Sequence, residues 1–198
     1  MLLGMTSGAQ SRRLRTSTSE KIVRAAAREF NVHGFLGTDT NRIAKRAGFA
    51  PQTFYRWFGD KTEIFIKVYE LWQRDEARML QRLLARDASD ARLVQALVTH
   101  HRRYRTFRRS LRQLSLEDAN VRKARAESRL NQIAQIRVWN REQPDSTASL
   151  AVALFKIERL ADALAEGEFD DMGIDRTDAE TDLSLLIHRL RSARRSQT

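Results

Sequence analysis

The chain has 198 residues, 41% of them hydrophobic, with only 2 prolines and 8 glycines; that length and apolar content support one large domain or two small ones, exclude wholesale disorder, and favour helices over many short strands and tight turns. Lys and Arg number 36 against 25 Asp and Glu, a net charge of +11 that favours a polyanionic partner. The absence of cysteine excludes disulfides, thiolate catalysis and cysteine-ligated metal sites.

Charge is unevenly placed. Residues 1–60 hold 10 basic and 4 acidic side chains, residues 101–141 hold 12 and 3, and residues 142–187 reverse the sign with 3 and 12. A basic head, a basic middle and an acidic late segment imply surfaces with different tasks. The opening Met1-Leu2-Leu3-Gly4-Met5 lacks the basic flank and apolar run of a signal peptide. No window approaches the roughly 18 apolar residues of a membrane span. A soluble, cytoplasmic protein with no membrane partner is expected, and the lack of cysteine suits that setting.

Residues 1–16, polar and poor in apolar side chains, read as a flexible arm whose Arg12, Arg13 and Arg15 can reach a minor groove. Ser17-Thr18-Ser19-Glu20 fits a capping box opening a first helix. Its buried face is Ile22, Val23, Ala26, Ala27 and Phe30, and Gly34 is its left-handed stop, with Phe35 packing back. A second short helix, capped by Thr38 or Asp39, runs to Ala47 and breaks at Gly48. A third begins at Pro51, a residue suited to the first helical position, and runs to Phe58. Gly59-Asp60 turn the chain, and Lys61 opens a long fourth helix to the region of Arg86.

Beyond Asp90, Leu93, Leu97, His100, Tyr104, Phe107, Leu111 and Leu114 recur at helical spacing, with a bend near Phe107. Arg102, Arg105, Arg109 and Arg112 fall on the opposite face and read as solvated or paired with the acidic 142–187 segment, the alternative being a second polyanion surface or a gate for an acidic ligand. A further helix covers residues 121–139, and Pro144-Asp145-Ser146 punctuate the chain. Leu150, Leu154, Ile157, Ala161 and Leu164 make another stripe ending before Gly167. Thr177-Asp178-Ala179-Glu180 is a second capping box, opening a last helix through Leu183, Leu186, Ile187 and Leu190, and residues 193–198 are a basic tail. The fold class is all-α. His100-His101 and the acidic run 166–171 lack the spacing of zinc or calcium sites, and no nucleophile–base pair or phosphate loop stands out. No metal, no cofactor and no enzymatic activity are expected.

Residues 38–61 carry the functional signal. A short helix, a glycine turn and a second short helix with aromatic residues describe a helix-turn-helix, in which Ile43, Ala44 and Ala47 pack against Phe54 and Phe58. The outward face of the second helix, with Pro51, Gln52, Thr53, Tyr55, Arg56 and Trp57, is then able to enter a major groove.

The stretch 18–65 resembles the DNA-binding domain of the TetR family of transcriptional regulators in Phe30, Gly34-Phe35, Thr38, Ile43-Ala44, Ala47-Gly48, Thr53-Phe54-Tyr55, Phe58 and Lys61, all in that family's order and spacing. It departs at Phe49 and Ala50, where the family usually has a small β-branched residue and then a hydroxyl residue, so the third helix lacks a side-chain cap. The resemblance implies a three-helix head (17–60), joined by the long fourth helix to a helical effector-binding and dimerisation domain (61–192). It implies phosphate contacts by Thr40, Tyr55 and Lys61. Asn41, Gln52, Arg56 and Trp57 are the candidates for bases or flanking phosphates, since Gln pairs two-pronged with adenine and Arg with guanine.

The resemblance further implies a small-molecule effector in that helical domain, and Trp72, Met79, Tyr104, Phe107, Trp139 and Phe155, apolar or aromatic groups on helices able to surround a cavity, point to an apolar or aromatic one. The stripes Leu150, Leu154, Ile157, Ala161, Leu164 and Leu183, Leu186, Ile187, Leu190 are the candidates for a homodimer interface, packed as an antiparallel four-helix bundle. Two heads about 34 Å apart on a palindromic operator would give the specificity that one short helix lacks. The expected function is an effector-modulated repressor; the alternative is a helical protein that binds nucleic acid through its Arg-rich segments without sequence choice.

Overall fold

The computed structural model describes residues 6–139 and 146–192, with side chains over 18–137 and 146–191. These residues form ten helices and no strand: α1 (Thr6–His33), α2 (Thr40–Ala47), α3 (Pro51–Tyr55), α4 (Lys61–Leu84), α5 (Asp90–Arg103), α6 (Arg105–Glu117), α7 (Ala119–Trp139), α8 (Thr147–Glu166), α9 (Glu168–Asp171) and α10 (Thr177–Ser192).

Local chemistry sets most of the boundaries. Asp39 caps α2 by accepting from the Arg42 amide at 2.8 Å, and Gly48 ends it at φ +79°. Ala50 precedes α3 with no side-chain cap, and Pro51 takes the first helical position. Asp60 caps α4 through the Glu63 amide at 2.7 Å, while Glu63 reaches back to the Gly59 amide at 2.6 Å. Ser89 and Ser146 cap α5 and α8 in the same way.

Four expectations change. α1 begins at Thr6, so the backbone carrying Arg12, Arg13 and Arg15 is helical and the Ser17 box lies inside the helix; Ala9, Gln10, Arg12, Arg13 and Leu14 are all good helix formers. The last regular residue of α3 is Tyr55, and Arg56 and Trp57 form the turn after it. The bend in the long stripe falls at Tyr104 (φ −112°, ψ 23°), not Phe107. Within α5 the buried face Leu93, Leu97 and His101 keeps the i, i+4 step, so His101 is buried and His100 only half-buried. The box at Thr177 does not form either: Thr177 donates both its amide and its hydroxyl to Asp175, which thereby starts α10. Pro144, Asp145 and the tail 193–198 lie outside the described residues.

Two apolar clusters hold the helices together. The first joins Ile22, Ala26 and Phe30 (α1), Ile43 and Ala44 (α2), Phe54 (α3), Ile64, Phe65, Val68, Tyr69 and Trp72 (α4) to Phe107, Leu111 and Leu114 (α6). It therefore runs across residue 60 without a break. Phe65 sits 5.0 Å from Phe30 and 4.8 Å from Phe107, centroid to centroid, so α4 is the common wall of the α1–α3 head and the α5–α10 body. The second cluster binds α5, α8 and α10 through Val94, Leu97, Ala161, Leu164, Ala179 and Leu183.

Candidate nucleic-acid interface and inner cavity

The helix-turn-helix is built from the inside out. Ile43, Ala44 and Phe54 are completely buried, which leaves the other faces of α2 and α3 to solvent. Pro51, Gln52, Tyr55 and Arg56 are exposed and Thr53 is half-buried. Thr40, at the first position of α2, shares a 2.9 Å hydrogen bond with the Tyr55 hydroxyl, so both hydroxyls stand together beside the exposed Asn41. This brings the expected phosphate-contact pair to the α2 N-terminus, where free amides and the helix dipole favour an anion.

Two expected contact residues have other work. Trp57 is half-buried against the head's apolar cluster, so its ring is a packing group. The Lys61 ammonium donates to the Phe35 and Thr38 carbonyls, each at 2.9 Å, and lies 4.2 Å from the centre of the Phe35 ring. Burial lowers its pKa. Lys61 thus clamps the α1–α2 loop, with one of its three N–H groups left for a phosphate.

The sequence reading overlooked a second brace. Glu29 of α1 is buried and pairs with Arg46 and, at 3.3 Å, with Arg42, both on α2, while Arg42 also meets His33 Nε2 at 2.9 Å. The i, i+4 spacing of Arg42 and Arg46, with Glu29 near the end of α1, was the available signal.

The head is joined to the body at Gly34. This glycine ends α1 at φ +69°, and a Cβ there would meet Ser110 Oγ of α6 at 3.1 Å. Ser110 accepts from the Phe35 amide at 3.0 Å, and Asn31 donates to the Arg103 carbonyl at 2.8 Å.

Within the body, a cavity of about 590 Å³ opens among α4, α5, α7, α8 and α10. Of the expected pocket residues, Trp72 lines it. Met79 lies on a separate surface groove between α4 and α5, beside Arg82, Arg86, Arg92 and Arg103. Phe107 is core and Tyr104 is packed against that core. Phe155 is 51% exposed, beneath Arg129, and the Trp139 side chain lies outside the described residues. The expected dimer stripes also turn inward. Leu150, Ala161, Leu164 and Leu183 are buried in the protomer, Leu154, Ile157, Ile187 and Leu190 line the cavity, and Leu186 is half-buried.

A buried ionic network lies beside the cavity. His101 places Nδ1 2.9 Å from Asp162 and Nε2 3.1 Å from Glu76, so both of its ring nitrogens face carboxylates. Arg108, 2% exposed, donates to both oxygens of Asp162 and to Glu158. Arg112 joins Asp162 at 2.8 Å and also pairs with Glu166, which Arg109 reaches at 3.6 Å. Acids at 158, 162 and 166 on α8 thus face arginines at 108 and 112 on α6, the pairing of basic middle and acidic late segment that the charge blocks anticipated. Arg102 and Arg105 stay exposed. Burial works to raise the Asp162 pKa, but His101 and Arg108 outweigh it and hold this carboxyl well below the usual range.

A helix-turn-helix with a polar outward face is the arrangement by which DNA-binding proteins offer a recognition helix to the major groove. Residues 22–68 match the profile of bacterial regulatory proteins of the tetR family, so the head is similar to the DNA-binding domain of those regulators. A 49-residue stretch is 39% identical to the uncharacterized HTH-type transcriptional regulator YdgC of Bacillus subtilis (strain 168) and covers 25% of each chain. The match thus spans about a quarter of that curated relative's length.

Fold likeness extends through the body. The structure of a TetR-family transcriptional regulator from Mesorhizobium loti MAFF303099 superposes with a TM-score of 0.54 at 17% identity, over 89% of this chain and 96% of that one. The fatty acid degradation regulator FadR from Bacillus halodurans gives 0.53 at 18% identity, over 85% and 93%. Among the described residues, no helix is long and apolar enough to cross a membrane.

Proposed function

We propose that this regulator is a homodimeric repressor whose two heads grip a palindromic operator and whose grip is weakened by a small molecule in the inner cavity. The observation that carries the reading is the division of the helix-turn-helix into a sealed apolar side and an outward side of Thr40, Asn41, Pro51, Gln52, Thr53, Tyr55 and Arg56. Thr40, Tyr55 and the spare N–H of Lys61 hold phosphates and fix register; Gln52 and Arg56 read base edges.

Dimerisation uses the outward face of the α8–α10 pair, where Val152, Phe155 and Leu185 are 52%, 51% and 61% exposed. Apolar side chains so placed, away from a filled protomer core, suit an isologous helix-pair interface. The coupling route is short. α4 lines the cavity and continues into the head's core, and α6 meets the head at Phe107 and Ser110. An effector that prefers a shifted α4 or α6 shifts the head with it, and its differential affinity sets the size of the response.

Fluorescence anisotropy with a selected operator and a scrambled duplex tests the reading. Gln52→Ala and Arg56→Ala should each cost about 1–3 kcal/mol on the operator and little of that on the scrambled duplex. Equal losses on both would leave these residues as phosphate contacts only.

A further inference from the structure

The lining of the inner cavity falls into two chemically different groups. Leu80 and Leu84 (α4), Leu93 (α5), Ile187 and Leu190 (α10) form an apolar wall near the α4–α5 turn, where Arg191 is anchored to Asp90. Gln73, Arg108, Ser128, Arg129, Gln132 and Glu158 also line the cavity, a polar group held together by hydrogen bonds, beside apolar Ile66, Leu154 and Ile157. There Gln132 donates to Gln73 at 2.8 Å and Gln73 to the Tyr69 hydroxyl at 3.1 Å.

Charge in the polar group is unbalanced. Glu158 alone accepts from three guanidiniums, those of Arg108 at 3.2 Å, Arg125 at 2.6 Å and Arg129 at 2.7 Å. The neighbouring acids do not make up the difference. Asp162 is taken by Arg108, Arg112 and His101, Glu166 by Arg112 and Arg109, and Glu76 by His101. Five guanidiniums therefore face four carboxylates before His101 is counted. The other acids on the wall, Glu70 and Glu127, sit outward with Lys67 and Lys123.

The hydrogen-bond inventory leans the same way. Trp72 Nε1 and Arg125 Nε are buried donors with no acceptor, whereas among the described residues no side-chain oxygen of α4–α10 is buried without a donor. Of these two, Trp72 lines the cavity, so a guest that brings an acceptor completes its Nε1–H, and a negative charge balances the guanidinium excess.

We propose that the cavity takes an amphipathic organic anion, with its carboxylate or comparable acidic head at the Arg108–Arg129–Gln73–Gln132 group and its apolar tail along Leu80, Leu84, Leu93, Ile187 and Leu190. The proposal rests on the cavity being the effector site and gives that effector its class. Head charge selects the ligand, because a cationic head would meet an excess of guanidinium and a neutral one would leave that excess uncompensated.

Isothermal titration of the full chain with decanoate, 1-decanol and decyltrimethylammonium, below their micellar concentrations, tests it. Decanoate should bind about tenfold or more tightly than either of the others, the scale of one charge-assisted contact. Arg129→Gln should remove most of that advantage while leaving decanol binding unchanged, and Arg129→Lys should restore much of it. Equal or tighter binding of the alcohol or the cation, or a preference that ignores Arg129→Gln, overturns the acidic head. Leu84→Trp, which fills the tail region, separates the two levels. If the three ligands bind alike and Leu84→Trp abolishes them all, the effector site stands and the head class falls. If none binds the wild type, both fall.

Discussion

His101 shows how one buried side chain can tie stability to pH. Burial pulls its pKa down, but hydrogen bonds to Asp162 and Glu76 push it up further, so it ends above the ordinary 6.5. A raised folded-state pKa contributes stability that is fully present below pH 6.5 and is lost as pH rises through the folded value. The melting temperature should therefore fall as pH climbs above 6.5, and His101→Gln should flatten that fall; parallel profiles would contradict the assignment. Asp162 works in the opposite sense, its depressed pKa making a contribution that disappears only in acid, as pH falls below 3.8. Removing its charge leaves Arg108 buried with Glu158 as its remaining partner, so Asp162→Asn should cost about 3–5 kcal/mol in chemical denaturation. Gly34 is a third sensitive residue. Its positive φ and the 3.1 Å approach of Ser110 Oγ mean that Gly34→Ala strains the join of head to body, at a cost of about 1–3 kcal/mol.

At the scale of elements, α2 and α3 were legible in the sequence because short-range chemistry dictates them. Asp39, Gly48, Pro51 and Asp60 act on their nearest neighbours, and a three-dimensional context is not needed to read them. The reading failed where tertiary packing chose between equivalent local options. Ser17 has the chemistry of a cap, yet a helix that already runs from Thr6 passes through it. The α8 and α10 stripes were correctly seen as apolar faces, but periodicity does not say whether such a face meets its own protomer or another. α5 and the cavity occupy that face, leaving Val152, Phe155 and Leu185 outside. The pairing of the basic middle with the acidic late segment was legible in the charge blocks, but its partners, Arg108 and His101 with Asp162 and His101 with Glu76, depend on helix crossings that no segment encodes alone. One element also carries a correctable weakness. α3 starts at Ala50 with no side-chain cap, so Ala50→Ser should stabilise the head by about 0.5–1 kcal/mol, read as a small upward shift in thermal melting. An unchanged melt would mean that Pro51 already supplies all the order that this start can gain.

For the molecule as a whole, the decisive feature is that α4 belongs to two places at once. Its first turns complete the head through Ile64, Phe65 and Val68, and its later turns line the cavity through Gln73, Leu80 and Leu84. A ligand that repositions those later turns has no independent linker to absorb the movement, because the apolar cluster crosses from head to body without interruption. In the proposed dimer, sedimentation at micromolar concentration should report twice the protomer mass of 22.9 kDa, and Phe155→Glu should reduce it to one. The central claim is that two such heads read a specific palindrome through α3. Selection of bound sequences from a random duplex pool, at near-physiological salt, tests this most directly. The account predicts an inverted repeat with half-site centres about one helical turn, or a small multiple of it, apart. Binding that recovers no common motif would contradict the account and assign the affinity to the arginine-rich surfaces instead.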